Sequence, residues 1–367
     1  MPESLKKACN ALILGGLMAL LFMMPGAAMQ GVRDGLSLWA DAVLPALLPF
    51  FVVTSLLQES GALASLSPLL RPLCRLYRLP DALGGELLAG WLSGAPNGAR
   101  LISPLVAEGM LSPAEATRFL SAATVTSPLF LIGTVGLYLG SPTLGALVYG
   151  VHLACAALNG VLWRGYGGKE ALSRASRPRA GLSPSLFLTL PAVLRSSCLS
   201  VLFIGGAIAV FSALTSVLTC MGVVDSLEKT LLFLLPPQAV AALVAGFFEV
   251  SNGCRLAALS SLSLPPRMAM LCAFAAFGGL SVLCQAQVFL NGTVKVAVYF
   301  AQRLTHAALS FAACRALFLL FGRSLPVFAV VAPVYFPADL HPYALPVLAL
   351  CLAFSLAPWR RLFHRSA

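Results

Sequence analysis

Acidic residues are scarce in this chain: 13 Asp and Glu stand against 24 Lys and Arg, and charged residues of all kinds make up 10% of 367. An ordinary soluble domain carries about 25% charged residues. With 59% of the sequence hydrophobic, a water-soluble fold would have more apolar surface than it could bury. Also missing is any Cys-x-x-Cys pair. The ten cysteines stand singly in apolar segments, without the Cys/His spacing of a tetrahedral zinc site, and read as small core residues. His152, His306, His341 and His364 are isolated too and receive no role. Without paired carboxylates, a metal-ligating cluster or a nucleophile beside a base, the chain reads as no enzyme, and no metal or cofactor is expected. No basic patch is interleaved with aromatics, so the net charge of +11 does not point to nucleic acid.

What the chain has instead is long apolar runs. Ala11 to Met24, Leu36 to Leu57, Ala116 to Leu139 and Met268 to Leu290 approach or exceed the roughly 20 residues that cross a bilayer as helix. They lack the two-residue alternation of barrel strands, and lipid offers the backbone no hydrogen-bond partner, so the spans must be helical. The expected fold is all-α: a polytopic, multi-pass protein of the cell membrane. The first 29 residues imitate a secretory signal, with Lys6 and Lys7 ahead of an apolar stretch and small residues at Ala27 and Ala28. The segment after them is again hydrophobic, so the reading as a membrane protein does not depend on cleavage.

The basic residues follow the positive-inside rule. The stretch Arg164 to Pro184 holds Arg164, Lys169, Arg174, Arg177 and Arg179 against Glu170 and is expected in the cytoplasm, as are both termini.

An internal repeat organises the rest. Ala89-Gly90 matches Ala245-Gly246, Asn97-Gly98 matches Asn252-Gly253, and Arg100-Leu101 matches Arg255-Leu256, one residue being skipped between them. From a cytoplasmic N-terminus, residues 11–29 go out, 36–57 return, and a loop with Arg71, Arg75 and Arg78 lies inside. Residues 84–110, interrupted at Ser93 to Gly98 by Gly, Pro and Asn, read as a re-entrant hairpin or broken helix. Residues 116–139 and 143–163 cross, 187–219 crosses outward, and a second hairpin over 231–262 enters from the opposite face. Crossings at 268–290, 295–320 and 327–356 complete the count. The expected organisation is an N-terminal helix (1–34), a first repeat (35–163), a basic loop (164–185), a second, inverted repeat (186–320), and a C-terminal helix with a basic tail (321–367). Inverted repeats with broken helices meeting near the midplane are an architecture of secondary transporters.

The candidate site follows from the breaks, because irregular backbone at membrane depth is tolerated only where protein buries it or a cavity wets it. Arg100 and Arg255 follow the two Asn-Gly turns and read either as paired anion clamps or as side chains snorkelling to the interface. Glu249 is an acid in an apolar segment and reads either as the site of a coupling cation or as a salt-bridge partner of Arg255 or Arg100. Ser93, Asn97, Ser251 and Asn252 at the breaks are solute-binding candidates. So are Thr124, Thr126 and Ser127, placed on one crossing helix, and Ser281, Gln285 and Gln287 in the corresponding helix; their alternative is ordinary helix-to-helix hydrogen bonding.

Four segments in order carry a family resemblance: Gly90 to Leu101, Glu108 to Ala116, Ser127 to Gly136, and Phe248 to Gly253. Together they resemble the sporulation integral membrane protein YlbJ family, with its nucleoside-recognition (Gate) domains, over about residues 35 to 320. The resemblance marks Ser93, Gly94, Pro96, Gly98 and Arg100, then Ser127, Pro128 and Gly133, then Glu249, Asn252 and Gly253. It implies a protein of spore-forming bacteria, in a forespore membrane, that helps to move dipicolinic acid. Ala95 stands where an aromatic is expected in many relatives, and Arg100 where Lys is common. The expected partner is a small anionic solute, with a coupling cation and the lipid bilayer around it; the sequence leaves homo-oligomerisation open. A non-transporting scaffold of spore assembly and a nucleoside-type transporter are the competing readings.

Overall fold

The structure is a computed structural model describing residues 3–168, 186–231 and 234–321. The basic stretch from Lys169 onward and the expected last crossing with its tail lie outside the described residues. Those described form helices and no strand, as a chain deprived of water must. Among the described residues, five helical segments are long and apolar enough to cross a membrane: Pro25–Glu59, Pro142–Trp163, Phe187–Cys220, Leu264–Leu290 and Val296–Phe321.

Helix α1 (Glu3–Met23) is followed at Pro25 by α2 (Pro25–Leu38), which passes through a π turn (Trp39–Val43) into α3 (Leu44–Glu59). This corrects the expected boundary: residues 29 to 36 hold no break, and Arg33 and Asp34 are exposed helical residues. Pro25 makes the division, since a proline's fixed φ and missing N–H suit the first turn of a helix. The basic segment expected as a loop is another correction. It is α4 (Ala62–Leu76), carrying Arg71 and Arg75, both bonded to Asp81. The hydrogen bond from Arg75 is the largest influence on Asp81 and holds its carboxyl below the usual range. This contribution is therefore complete above the ordinary carboxylate range and lost as pH falls through the depressed value.

Next come α5 (Gly84–Ser93) and α6 (Asn97–Ala107), then α7 (Pro113–Ala123), started by a capping box in which Ser112 and Glu115 satisfy each other's backbone N–H. An unwound stretch leads into a π turn (Leu129–Val135), α8 (Gly136–Tyr138) and α9 (Pro142–Trp163). Then come long α10 (Leu186–Cys220), short α11 (Val223–Leu231), α12 (Pro237–Phe248) and α13 (Val250–Leu259), α14 (Leu264–Phe277) and α15 (Gly279–Leu290), and long α16 (Val296–Phe321). Helices α5, α6, α12 and α13 have 10 to 12 residues each, or about 15–18 Å, half a bilayer.

The packing interleaves the two halves. Helix α10 runs along α2 and α3, while α16 packs on α14, α9 and α7. Close approach of α2 to α10 is licensed by Gly31 and Gly35: a Cβ on Gly31 would lie 2.6 Å from the Ala213 Cα. Trp39 ties the same pair by donating from Nε1 to the Val201 carbonyl, 3.0 Å away.

Candidate functional site

Four interruptions of helix meet at one place. In the first hairpin the chain leaves α5 at Gly94, whose φ of +82° only glycine adopts without strain, and re-enters helix after a cis Ala95–Pro96 bond. Glycine is needed there twice over, because a Cβ would lie 2.6 Å from the backbone nitrogen of Ser127. In the second hairpin the break is one extended residue, Glu249. Two further helical stretches are interrupted beside these breaks. Residues 124–127 are unwound, with the Ala95 N–H donating to the Val125 carbonyl, and α14 gives way to α15 through Gly278 and Gly279, both at positive φ. A Cβ on Gly279 would lie 2.9 Å from the Phe248 carbonyl oxygen, so the second crossing rests on the second hairpin as the first does on the first.

Between the breaks lies a cavity, with about 570 Å³ of empty space counted out to its mouth. Its polar lining is Thr124, Thr126, Ser127, Glu249, Ser251, Gln285 and Arg303; these are joined by Ala95 and by apolar residues of α3, α10, α13, α14, α15, the π turns and the unwound stretch. The sequence placed Thr124, Thr126 and Ser127 on a helix. They are unwound instead, because Pro128 can start a helix but cannot continue one from α7. Thr126 uses the freed backbone to reach both halves: its N–H donates to His152 Nε2 at 2.9 Å and its hydroxyl to the Ala275 carbonyl at 2.9 Å.

Glu249 is 1% exposed and caps α13, its carboxylate accepting from the Asn252 N–H at 2.8 Å. Among the described residues it pairs with neither Arg100 nor Arg255. The two arginines do not line the cavity. Arg100 donates to the hydroxyls of Ser55 and Ser196 and lies over the Phe51 ring, 5.4 Å from its centroid, while Arg255 is exposed on α13. Ser93, Asn97, Asn252 and Ser281 are likewise engaged outside the lining. Asn97 donates to Thr54 on α3 and to Ser93, Asn252 donates to Ser212 on α10, and Ser281 accepts from Gln285. The two asparagines thus do the same work in both halves, fastening each hairpin to a long helix.

The cation in the cavity is one that sequence reasoning missed. Arg303 of α16 is 2% exposed and sits where two half-helices end, one nitrogen donating to the carbonyls of Thr124, at the end of α7, and Ala276, in the last turn of α14. Carbonyl ends carry the negative pole of a helix, so this position suits a cation. Its Nε and Nη2 are buried without a hydrogen-bond partner. The rule that singled out Glu249, an ionisable group in an apolar crossing, applied equally to Arg303. A second signal was the buried polar stripe of Gln302, Arg303, His306 and Ser310 along one face of α16.

Residues 41–151 match the family model described as Gate, nucleoside recognition. The chain is 30% identical over 313 residues to the sporulation integral membrane protein YlbJ of Bacillus subtilis (strain 168), covering 78% of this chain and 77% of the relative. This chain belongs to the YlbJ family. The resemblance read from the four motifs is the family that the alignment shows, and the chain is a multi-pass membrane protein of that family. No solved structure matches it. The Gate match takes in the first hairpin and the first unwound stretch but ends before Glu249 and Arg303, so the ionisable groups of the cavity come from the part of this YlbJ-family chain beyond it.

Proposed function

We propose that this YlbJ-family protein is a carrier for a small anionic solute, dipicolinate being the expected one, across a forespore membrane, and that it is not an enzyme. The observation that carries the reading is Arg303: a guanidinium buried in a cavity with two nitrogens unused. A fork of N–H donors in that state matches a carboxylate. Glu249 supplies the opposite sign at the same cavity and is the candidate site for a coupling cation, while Thr124, Ser127, Ser251 and Gln285 supply neutral hydrogen-bonding groups around the solute. Residues 35–163 and 186–320 are read as two Gate-like repeats of inverted sense. The recurring order of elements and the similar contact of crossing and hairpin in each half support this. In such carriers the half-helix ends at the midplane hold the load while the halves rock.

Proteoliposomes should take up labelled dipicolinate in a saturable way, faster than empty liposomes, and an excess of uridine should not compete. Uridine uptake in place of dipicolinate would favour the nucleoside reading that the Gate description suggests; uptake of neither would favour a scaffold. For the inversion, single cysteines at positions 174 and 225, in a background lacking the native thiols, should label from opposite sides of the membrane with an impermeant reagent. Labelling from one side would overturn it.

A further inference from the structure

His152 of α9 and His306 of α16, isolated in the sequence, are stacked in the fold. Their ring centroids are 4.7 Å apart, the planes are 16° from parallel, and both side chains are fully buried. Their hydrogen bonds fix the protons. His152 Nε2 accepts from the Thr126 N–H, which places the ring's own proton on Nδ1. His306 Nε2 lies 3.0 Å from the His152 carbonyl oxygen, an atom that can only accept, so His306 donates there and its Nδ1 carries the free lone pair. Neither Nδ1 has a hydrogen-bond partner. The pair closes a ring of contacts with the cavity. Arg303 stands one turn before His306 on the same helix and bonds the Thr124 carbonyl, and two residues beyond Thr124 the Thr126 N–H returns to His152.

We propose that His306 Nδ1 is a proton-binding site filled together with the anion at Arg303, so that solute and proton are carried as one load. The inference rests on the reading of Arg303 as the anion-binding group. While that guanidinium has no ion-pair partner among the described residues, a second positive charge one turn away is opposed; Glu249 lines the same cavity but caps α13 and does not pair with it, and an anion on Arg303 removes the opposition. By linkage the proton then strengthens anion binding by the same factor. The ionisable groups on the surrounding elements do not replace Arg303 in this role. Tyr149 and Cys155 on α9, Tyr299 and Cys314 on α16, Cys272 on α14 and Tyr138 on α8 are phenols and thiols, neutral near pH 7. On α7, Arg118 bonds the Tyr166 carbonyl and Glu115 caps its own helix at Ser112.

Histidine-selective ¹⁵N NMR of the full chain in nanodiscs, without solute, tests the coupling. His306→Gln identifies the resonance, and Gln keeps a donor for the His152 carbonyl. In Arg303→Gln the His306 ring should protonate at least about tenfold more readily than in the wild type, whereas Arg303→Lys, which keeps the charge, should titrate like the wild type. Equal titration in Arg303→Gln and wild type overturns the proposal. Calorimetry of dipicolinate binding in two buffers of different ionisation heat gives the second readout: about one proton taken up per anion by the wild type, and none by His306→Gln. Binding by the wild type with no proton uptake overturns the proposal as well. If dipicolinate does not bind at all, the anion reading of Arg303 fails, and the NMR comparison still decides the proton site.

Discussion

Arg303→Gln protein, reconstituted at equal density, should take up dipicolinate at least about thirtyfold more slowly than the wild type. Removing one partner of a buried, hydrogen-bonded charge pair costs about 2–5 kcal/mol, and each 1.4 kcal/mol is about tenfold in an equilibrium constant. Thirtyfold is the lower end of that range. The loss should not come from unfolding. Arg303 is held by two carbonyls that a glutamine amide can still reach in part, and deleting an uncompensated buried charge relieves a desolvation penalty. The variant should therefore melt at or above the wild-type temperature. Arg303→Lys should fall between the two, since an ammonium keeps the charge but not the planar fork. Arg100→Lys should change uptake less than about threefold, because Arg100 spends its donors on Ser55 and Ser196 outside the cavity. Wild-type uptake by Arg303→Gln, or a larger loss in Arg100→Lys than in Arg303→Gln, would move the anion site elsewhere.

Glu249→Gln should separate coupling from binding. Its concentrative uptake should fall at least about tenfold, while exchange of internal for external dipicolinate continues. The substitution removes charge with little change of shape. Glu249 caps α13 through one carboxylate oxygen, and the amide oxygen of glutamine can accept the same Asn252 N–H. What the neutral side chain cannot do is bind or release a cation, and an ionisable group at membrane depth is kept at a cost that function must justify. Parallel measurements of uptake and of exchange at equilibrium decide the matter: equal loss in both would make Glu249 a structural cap, and no loss in either would remove it from the mechanism.

The membrane class, the two hairpin breaks and Glu249 were legible in the sequence, because each departs from an apolar background that lipid enforces. Thr124, Ser127, Ser251 and Gln285, singled out by the same contrast, line the cavity. Asn97 and Asn252, matched in the sequence, each fasten a helix break to a neighbouring helix, through Thr54 and Ser212. The paired arginines lie outside this cavity for a related reason. Position after a turn is visible in a sequence, whereas the direction of a side chain on a ten-residue helix depends on what packs against it. Arg303 and the histidine stack were hidden because Arg303 meets Thr124 from 179 residues away along the chain and His306 meets His152 from 154.

The interleaving of α10 with α2 and α3, and of α16 with α9 and α7, bears on how the molecule can be born. Thr124 leaves the ribosome long before α16, so for much of synthesis its carbonyl lacks the Arg303 nitrogen that meets it in the finished fold. A chain stopped after Leu290 would hold every residue of the cavity lining except Arg303, and so none of its positive charge. The last described helix is therefore the one that brings a cation to the cavity and ties the ends of α7 and α14 together.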